Sequence, residues 1–259
     1  MPETEAGLVT TLRRWLWRLR GIFLLAPAAT SLAGICLFVF LVQRVAGGVE
    51  FVYGYSFRQA LVSCFGLNWP LLSQGFFWQP LTYMFLHDGW AHLGLNMLTV
   101  LLFGSGLEAE IGGRRFWRLF LLCGILGGVG WLAVTALLPV LPQVDALTLW
   151  VPEALRAWLH VGALAGGTLE TASCIGASGG VFALIGAYAA CFPQRMVYGL
   201  FLFVIPFKLK ARSLAWLLGV LTVAEAVFVQ AQVAYAAHLV GGLAGYMYGM
   251  RLRKLGITD

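Results

Sequence analysis

A serine flanked by glycines, Gly176-Ala177-Ser178-Gly179-Gly180, opens the apolar stretch Val181-Phe182-Ala183-Leu184-Ile185, and His238 precedes Gly241, Gly242 and Gly245 in a second apolar stretch. A hydroxyl and a neutral imidazole are what nucleophilic acyl transfer needs near pH 7, because the imidazole takes the proton while the oxygen attacks. The broken start at Ser178 predicts a helix N-terminus whose free N–H groups and positive dipole end would stabilise an oxyanion. Taken alone, Ser178 reads more simply as an N-cap beside helix-packing glycines. His238 alone reads as one end of an interhelical hydrogen bond, although an intramembrane histidine is by default a functional hypothesis. The Gly241-x-x-x-Gly245 spacing joins the two readings, since it gives the last helix a smooth face for close backbone approach. Gly179, Gly180, Ala183 and Gly186 offer the facing surface, and that contact brings His238 to Ser178. Phe182, one turn after Ser178, is placed either to pack on the His238 ring or simply to fill the core.

His92 and Asn96 stand at i and i+4 and project from one helical face. At the level of Ser178 and His238 their natural role is donating hydrogen bonds to a developing oxyanion; the plainer role is polar glue between helices. His92, Asn96 and His238 make a poor zinc set without a carboxylate or thiolate, so no metal is expected. The five cysteines, Cys36, Cys64, Cys123, Cys174 and Cys191, have no CxxC spacing. A disulfide between Cys64 and Cys174 stays open, and no cofactor is expected. Asp88 and Glu225 are the nearest acids to His238, with no spacing that demands contact. The unit is a Ser-His dyad, consistent with the expense of a fixed anion at that depth.

The elements that must position these residues follow from composition. The chain is 60% hydrophobic and 11% charged, against about 45–50% and about 25% in soluble domains. A water-soluble fold is excluded. The net charge of +6 sits in short clusters between apolar runs, which are topology signals rather than a nucleic-acid surface. Spans are predicted at 21–43, 92–107, 116–138, 178–191, 213–229 and 234–250. The fold class is therefore all-α, a polytopic membrane bundle of six transmembrane helices at 21–250, with a basic cytoplasmic tail at 1–20 and a second tail at 251–259. This map puts 14 Lys and Arg residues inside and 3 outside, Arg44, Arg58 and Arg156, which makes both termini cytoplasmic. The run 146–167 tempts a seventh span, but Pro152, Glu153 and Arg156 near its middle assign it to an external loop at 140–173. Arg13, Arg14, Arg18 and Arg20 precede a stretch long enough to span without a small-residue cleavage site, so the first span is expected to be retained.

With these residues assembled, the chain resembles the rhomboid family of intramembrane serine proteases over nearly all of 10–254. Gly176-Ala177-Ser178-Gly179 matches the family's GxSG, which implies Ser178 as nucleophile. His238 with Gly241 and Gly245 matches HxxGxxxG on the last helix, which implies His238 as general base. His92 and Asn96 match HxxxN, implying assistance to the oxyanion hole. Glu108, after Gly104 and Gly106, matches a structural glutamate that ties down the following loop. Three features depart from the family: its Trp-Arg pair is Trp78-Gln79 here, a tyrosine of some members is Phe182, and the loop before Ser178 is longer. The resemblance implies a rhomboid-like bundle that cuts helix-destabilised transmembrane segments of other membrane proteins, while the short tails and the lack of a transit-like, Ser-rich leader favour a bacterial inner membrane over an organelle. The readings from other classes are an inactive rhomboid-fold protein that binds such segments, and a transporter. The transporter is disfavoured by the single broken span.

Overall fold

The computed structural model describes residues 26–46, 56–137, 173–201, 205–228 and 235–258. The expected tail at 1–20 and nearly all of the loop at 140–173 lie outside the described residues. The described chain is mostly helical. Helix α1 is Pro27–Ala46, and its first residue is a proline whose fixed φ suits a helix start. Three short helices follow, α2 at Phe57–Phe65, α3 at Trp69–Leu72 and α4 at Gln79–Thr82, then a 3₁₀ turn at Tyr83–Phe85. A capping box of Ser56 and Gln59 begins α2, and Asn68 caps α3. The longer helices are α5 at Trp90–Ile111, α6 at Gly113–Leu137, α7 at Ser178–Cys191, α8 at Ala211–Phe228 and α9 at Tyr235–Lys254.

Among the described residues, three helices are long and apolar enough to cross a membrane: Pro27–Val45, Trp90–Ile111 and Gly113–Leu137. α7 has only 14 residues and is apolar on every side. It is buried almost throughout, between α6 and α9. The molecule's outside is apolar too: Phe38, Leu102, Leu122, Trp216, Val220, Leu243 and Met247 are all exposed. Such a surface is incompatible with water and fits lipid, where helices satisfy their own backbone groups. This is a membrane-embedded, multi-pass protein.

The all-α expectation needs one correction. Strands β1, Met196–Phe201, and β2, Ile205–Lys210, pair antiparallel in the register Met196↔Lys210 to Phe201↔Ile205. Val197 and Leu209 lie opposite each other and pack on the core, while Tyr198, Lys208 and Lys210 are exposed. That alternation is the period of two that a half-buried strand requires.

α5 is not a uniform helix, because Val100–Gly104 forms a π-helical turn between its two α-helical parts. The wide turn corrects a phase error. Asn96 and Glu108 are twelve residues apart, so at about 100° per residue a regular helix would set them about 120° apart. One extra residue taken up in a π turn removes about 100° of that, leaving the two nearly in line. Asn96 and Glu108 are accordingly both buried, one at each end of the same face.

Candidate active site

The site is built where α7 and α9 touch backbone to backbone. A side chain at Gly241 would collide with the carbonyl of Gly179, and one at Gly245 with the carbonyl of Ala183. The same pattern continues with Gly249 on Ala187 and Gly186 on Gly242. Gly180 departs from the expected facing surface: it packs on the Phe120 ring of α6, because it lies about 100° around the helix from Gly179. On α6, Gly124, Gly127 and Gly128 likewise admit Met84, Ala237 and Tyr83 closer than a side chain would allow. Small residues therefore fix three helices around one point.

At that point His238 Nε2 lies 2.7 Å from Ser178 Oγ. Ser178 is the first residue of α7, and the N-cap position is Ala177, which has no side-chain cap. The serine hydroxyl is thus not a cap; its partner is the imidazole. The first backbone N–H groups of α7 have no intrahelical acceptor and point out of the helix end. Phe182 stacks flat on His238, with ring centroids 4.5 Å apart and planes 2° from parallel. Among the described residues no carboxylate bonds to His238; Asp88 pairs instead with Arg58 at 2.7 Å.

His92 approaches from α5. Gly176 has φ +126, which favours glycine, and a side chain there would stand 2.7 Å from His92 Nε2. The imidazole therefore lies against the loop that leads into Ser178. Asn96 is buried and donates from Nδ2 to the His92 carbonyl at 2.8 Å, one turn back along its own helix. The structure thus brings Ser178, His238, Phe182 and His92 into one cluster, while the recorded bond of Asn96 stays within α5.

The approach to Ser178 is held by backbone bonds from the segment before α5. Leu67 and Cys174 exchange N–H···O bonds of 2.9 and 2.8 Å, and the Gly176 N–H donates to the Tyr83 carbonyl at 2.9 Å. Tyr83 in turn donates its hydroxyl to the Gly124 carbonyl at 2.7 Å. Cys64 and Cys174 are both free thiols. Burial pushes the Cys174 thiol up to about 12, so it is no competing nucleophile beside Ser178.

Gln79 explains how the segment does without an arginine after Trp78. Its Oε1 accepts from the Asn68 N–H at 3.1 Å and its Nε2 donates to the Ser63 carbonyl at 3.1 Å, with Gln79 fully buried. An amide can both accept and donate, which a guanidinium cannot. Trp78 Nε1 adds a bond to the Cys64 carbonyl at 2.9 Å.

Glu108 corrects an expectation. Its tie runs to the first span, because Oε1 and Oε2 accept from the Ala28 and Ala29 N–H groups, each at 2.8 Å. A carboxylate on a helix N-terminus meets both the orphan donors and the positive dipole end. The following loop is only a neighbour, at Gly113.

Sequence reasoning missed Gln43, Tyr83 and His87. His87 carried the clearest signal, as one of only four histidines in the chain, five residues before His92. Its ring now stands edge-on to His92, centroids 5.1 Å apart.

Comparison with known proteins matches residues 74–255 to the Rhomboid domain. Rhomboid protein 1, mitochondrial, of Saccharomyces cerevisiae is 28% identical over 173 residues, 66% of this chain and 40% of its own length. Putative rhomboid protease YdcA of Bacillus subtilis is 28% identical over 117 residues, 45% of this chain and 42% of its own. Rhomboid protease GluP of Bacillus subtilis is 39% identical over 59 residues, 23% of this chain and 12% of its own. The match with each of these relatives spans less than half of the relative's length. The family model covers well over half of the present sequence, and the chain belongs to the rhomboid family.

Proposed function

We propose that the protein is an intramembrane serine endopeptidase that hydrolyses a peptide bond in a transmembrane segment of another membrane protein. The observation that carries this reading is the 2.7 Å contact between His238 Nε2 and Ser178 Oγ at the start of a buried helix. The hydroxyl proton passes to His238 Nε2 as Oγ attacks the substrate carbonyl carbon. The resulting oxyanion is met by backbone N–H groups at Ser178 and by the His92 and Asn96 side chains. Collapse breaks the C–N bond, and the imidazolium returns its proton to the leaving amine. Water then attacks the acyl-serine with His238 again as base, freeing the new carboxyl terminus and Ser178. With no carboxylate on the imidazole among the described residues, stacking on Phe182 sets its orientation.

A helical substrate hides its carbonyl carbons, so segments with helix-weakening residues are the expected partners, alongside the bilayer itself. Six spans with both termini cytoplasmic remain our topology, supported by the 14-to-3 split of basic residues. A bacterial cell membrane is supported by the two Bacillus relatives, whereas the yeast relative is named mitochondrial.

Labelling by a fluorophosphonate probe tests the nucleophile. Wild-type protein should be modified at Ser178 and should cleave a single-span model substrate. An unreactive Ser178 in folded protein, with the substrate bound and uncut, would instead support the binding protein. Single cysteines at Glu3, Glu153 and Asp259 in a cysteine-free background test the topology. Only the one at Glu153 should react with an impermeant thiol reagent in intact cells, and reaction at Asp259 with protection at Glu153 would overturn the map.

A further inference from the structure

Two buried side chains beside the site are left with polar atoms that no other described residue satisfies. Gln43, near the end of α1, is 1% exposed, and His87, just before α5, is fully buried. Gln43 Oε1 accepts the His87 backbone N–H at 3.1 Å, which fixes the amide, because turning it over would set a donor against a donor. Its Nε2 then has no acceptor among the described residues. Neither nitrogen of the His87 ring has a hydrogen-bond partner among the described residues, although one leans towards the Phe85 carbonyl without reaching bonding geometry. Burial, and next the neighbouring His92, push His87 down to about 4, so the ring is neutral near pH 7. A neutral imidazole carries one N–H and one bare nitrogen. With the N–H turned to Phe85, the bare nitrogen lacks a donor while the Gln43 amide lacks an acceptor.

Water supplies both at once, and buried polar groups left without protein partners are where bound water is found. We propose that Gln43 and His87 enclose a bound water molecule that braces the His92 ring, which makes them positioning residues for the oxyanion side of the site. The water accepts from Gln43 Nε2 and donates to His87. His87 stands edge-on to His92, and His92 lies against Gly176 on its other side. The ring is thus held between a glycine and a hydrated imidazole, with Phe40 against Trp90 joining the same two segments at a centroid distance of 4.8 Å. This inference rests on the protease reading, since a brace on His92 matters for rate only if His92 serves the oxyanion.

The test uses the full chain in detergent. A high-resolution structure should show density for one water within hydrogen-bond distance of Gln43 Nε2 and the His87 ring. Gln43→Met and His87→Phe keep the volume and remove the water's partners. Each should lower kcat about tenfold, the loss expected from slight misplacement of an aiding group, with KM unchanged. His87→Gln, which can still hold the water, should retain most of the rate. In a His92→Ala background neither Gln43→Met nor His87→Phe should lower kcat further, because the element they brace is gone. A dry site in the density overturns the proposal. So does an equal loss of kcat in both backgrounds, or a change confined to thermal stability. Failure of wild-type Ser178 to react with a fluorophosphonate counts against the protease reading instead, and the density still decides whether the water is there.

Discussion

Where α7 meets α9, glycines at 241, 245 and 249 lie directly on the carbonyls of Gly179, Ala183 and Ala187, and the side-chain polar contacts across the seam are few: Ser178 with His238 at 2.7 Å and the Cys191 thiol donating to the Gly249 carbonyl at 3.7 Å. Where α1 meets α5 and the turn before it, the two clamps are polar: Glu108 on the Ala28 and Ala29 N–H groups at one end, Gln43 on the His87 N–H at the other. The first seam brings main chains as close as they can come, so it sets the nucleophile-to-base distance rigidly. The second holds a helix that lies outside the matched family segment, by a few strong bonds at its ends. Chemistry sits in the close-packed seam and attachment in the polar clamps. That division predicts how mutations on each side should differ.

The largest effects belong to the dyad. Ser178→Ala, His238→Ala and the double variant should all fall to background turnover, because nucleophile and base act as one unit and their losses do not add. Equal activity of Ser178→Ala and wild type in a cleavage assay would remove the nucleophile assignment.

The next effect is smaller. Asn96→Ala and His92→Ala should each lower kcat by about 10²–10³ with KM little changed, since the backbone N–H groups at Ser178 remain. Wild-type kcat in Asn96→Ala, with only thermal stability reduced, would make the polar face of α5 structural glue and withdraw its oxyanion role. The bond from Asn96 to the His92 carbonyl makes this a sharp test, since it already gives the side chain a purely structural use.

Two substitutions compare the seams directly. Gly245→Ala forces a methyl into the Ala183 carbonyl and should destabilise by about 1–3 kcal/mol, the usual range for overpacking. Because the seam sets the dyad distance, the protein that stays folded should also label more slowly with fluorophosphonate. Glu108→Gln loses the charge on two bonds and should destabilise by a similar amount, about 1–3 kcal/mol. Its folded fraction, however, should label at the wild-type rate. If both variants slow labelling equally at a temperature where both are folded, the division between the seams fails.

Much of this was legible in the residue string, and the parts that were not share a cause. The positions of the long helices follow from apolar runs, and the Ser178 and His238 pairing follows from glycine spacing, because each signal is local to its own helix. The hairpin at Met196–Lys210 also had a local signal, the alternation of Lys208, Leu209 and Lys210, hidden among basic residues that read as a topology cluster. The π turn at Val100–Gly104 had none: an extra residue in a helical turn changes no composition, and only the need to align Asn96 with Glu108 reveals it. Glu108 with Ala28 and Gln43 with His87 are 80 and 44 residues apart in the chain, so no periodicity could pair them. The facing of Gly180 towards Phe120 rather than α9 needed the third helix to be in place.

Phe182 gives the smallest effect and the finest probe of the close-packed seam. Among the described residues His238 has no carboxylate to hold its tautomer or tilt, and the ring stacked on it at 4.5 Å is the contact that defines its plane. Aromatic pairs contribute about 0.5–1.5 kcal/mol beyond burial, so Phe182→Leu should lower kcat about two- to tenfold. Phe182→Tyr keeps the ring and should stay near wild type. KM should not change in either, because Phe182 acts on the base. The decisive arm places Phe182→Leu in the His238→Ala background, where residual fluorophosphonate labelling should be the same with Phe or Leu. A further loss there would mean that Phe182 shapes the cavity independently of the imidazole, and the orienting role would pass to some other neighbour of His238.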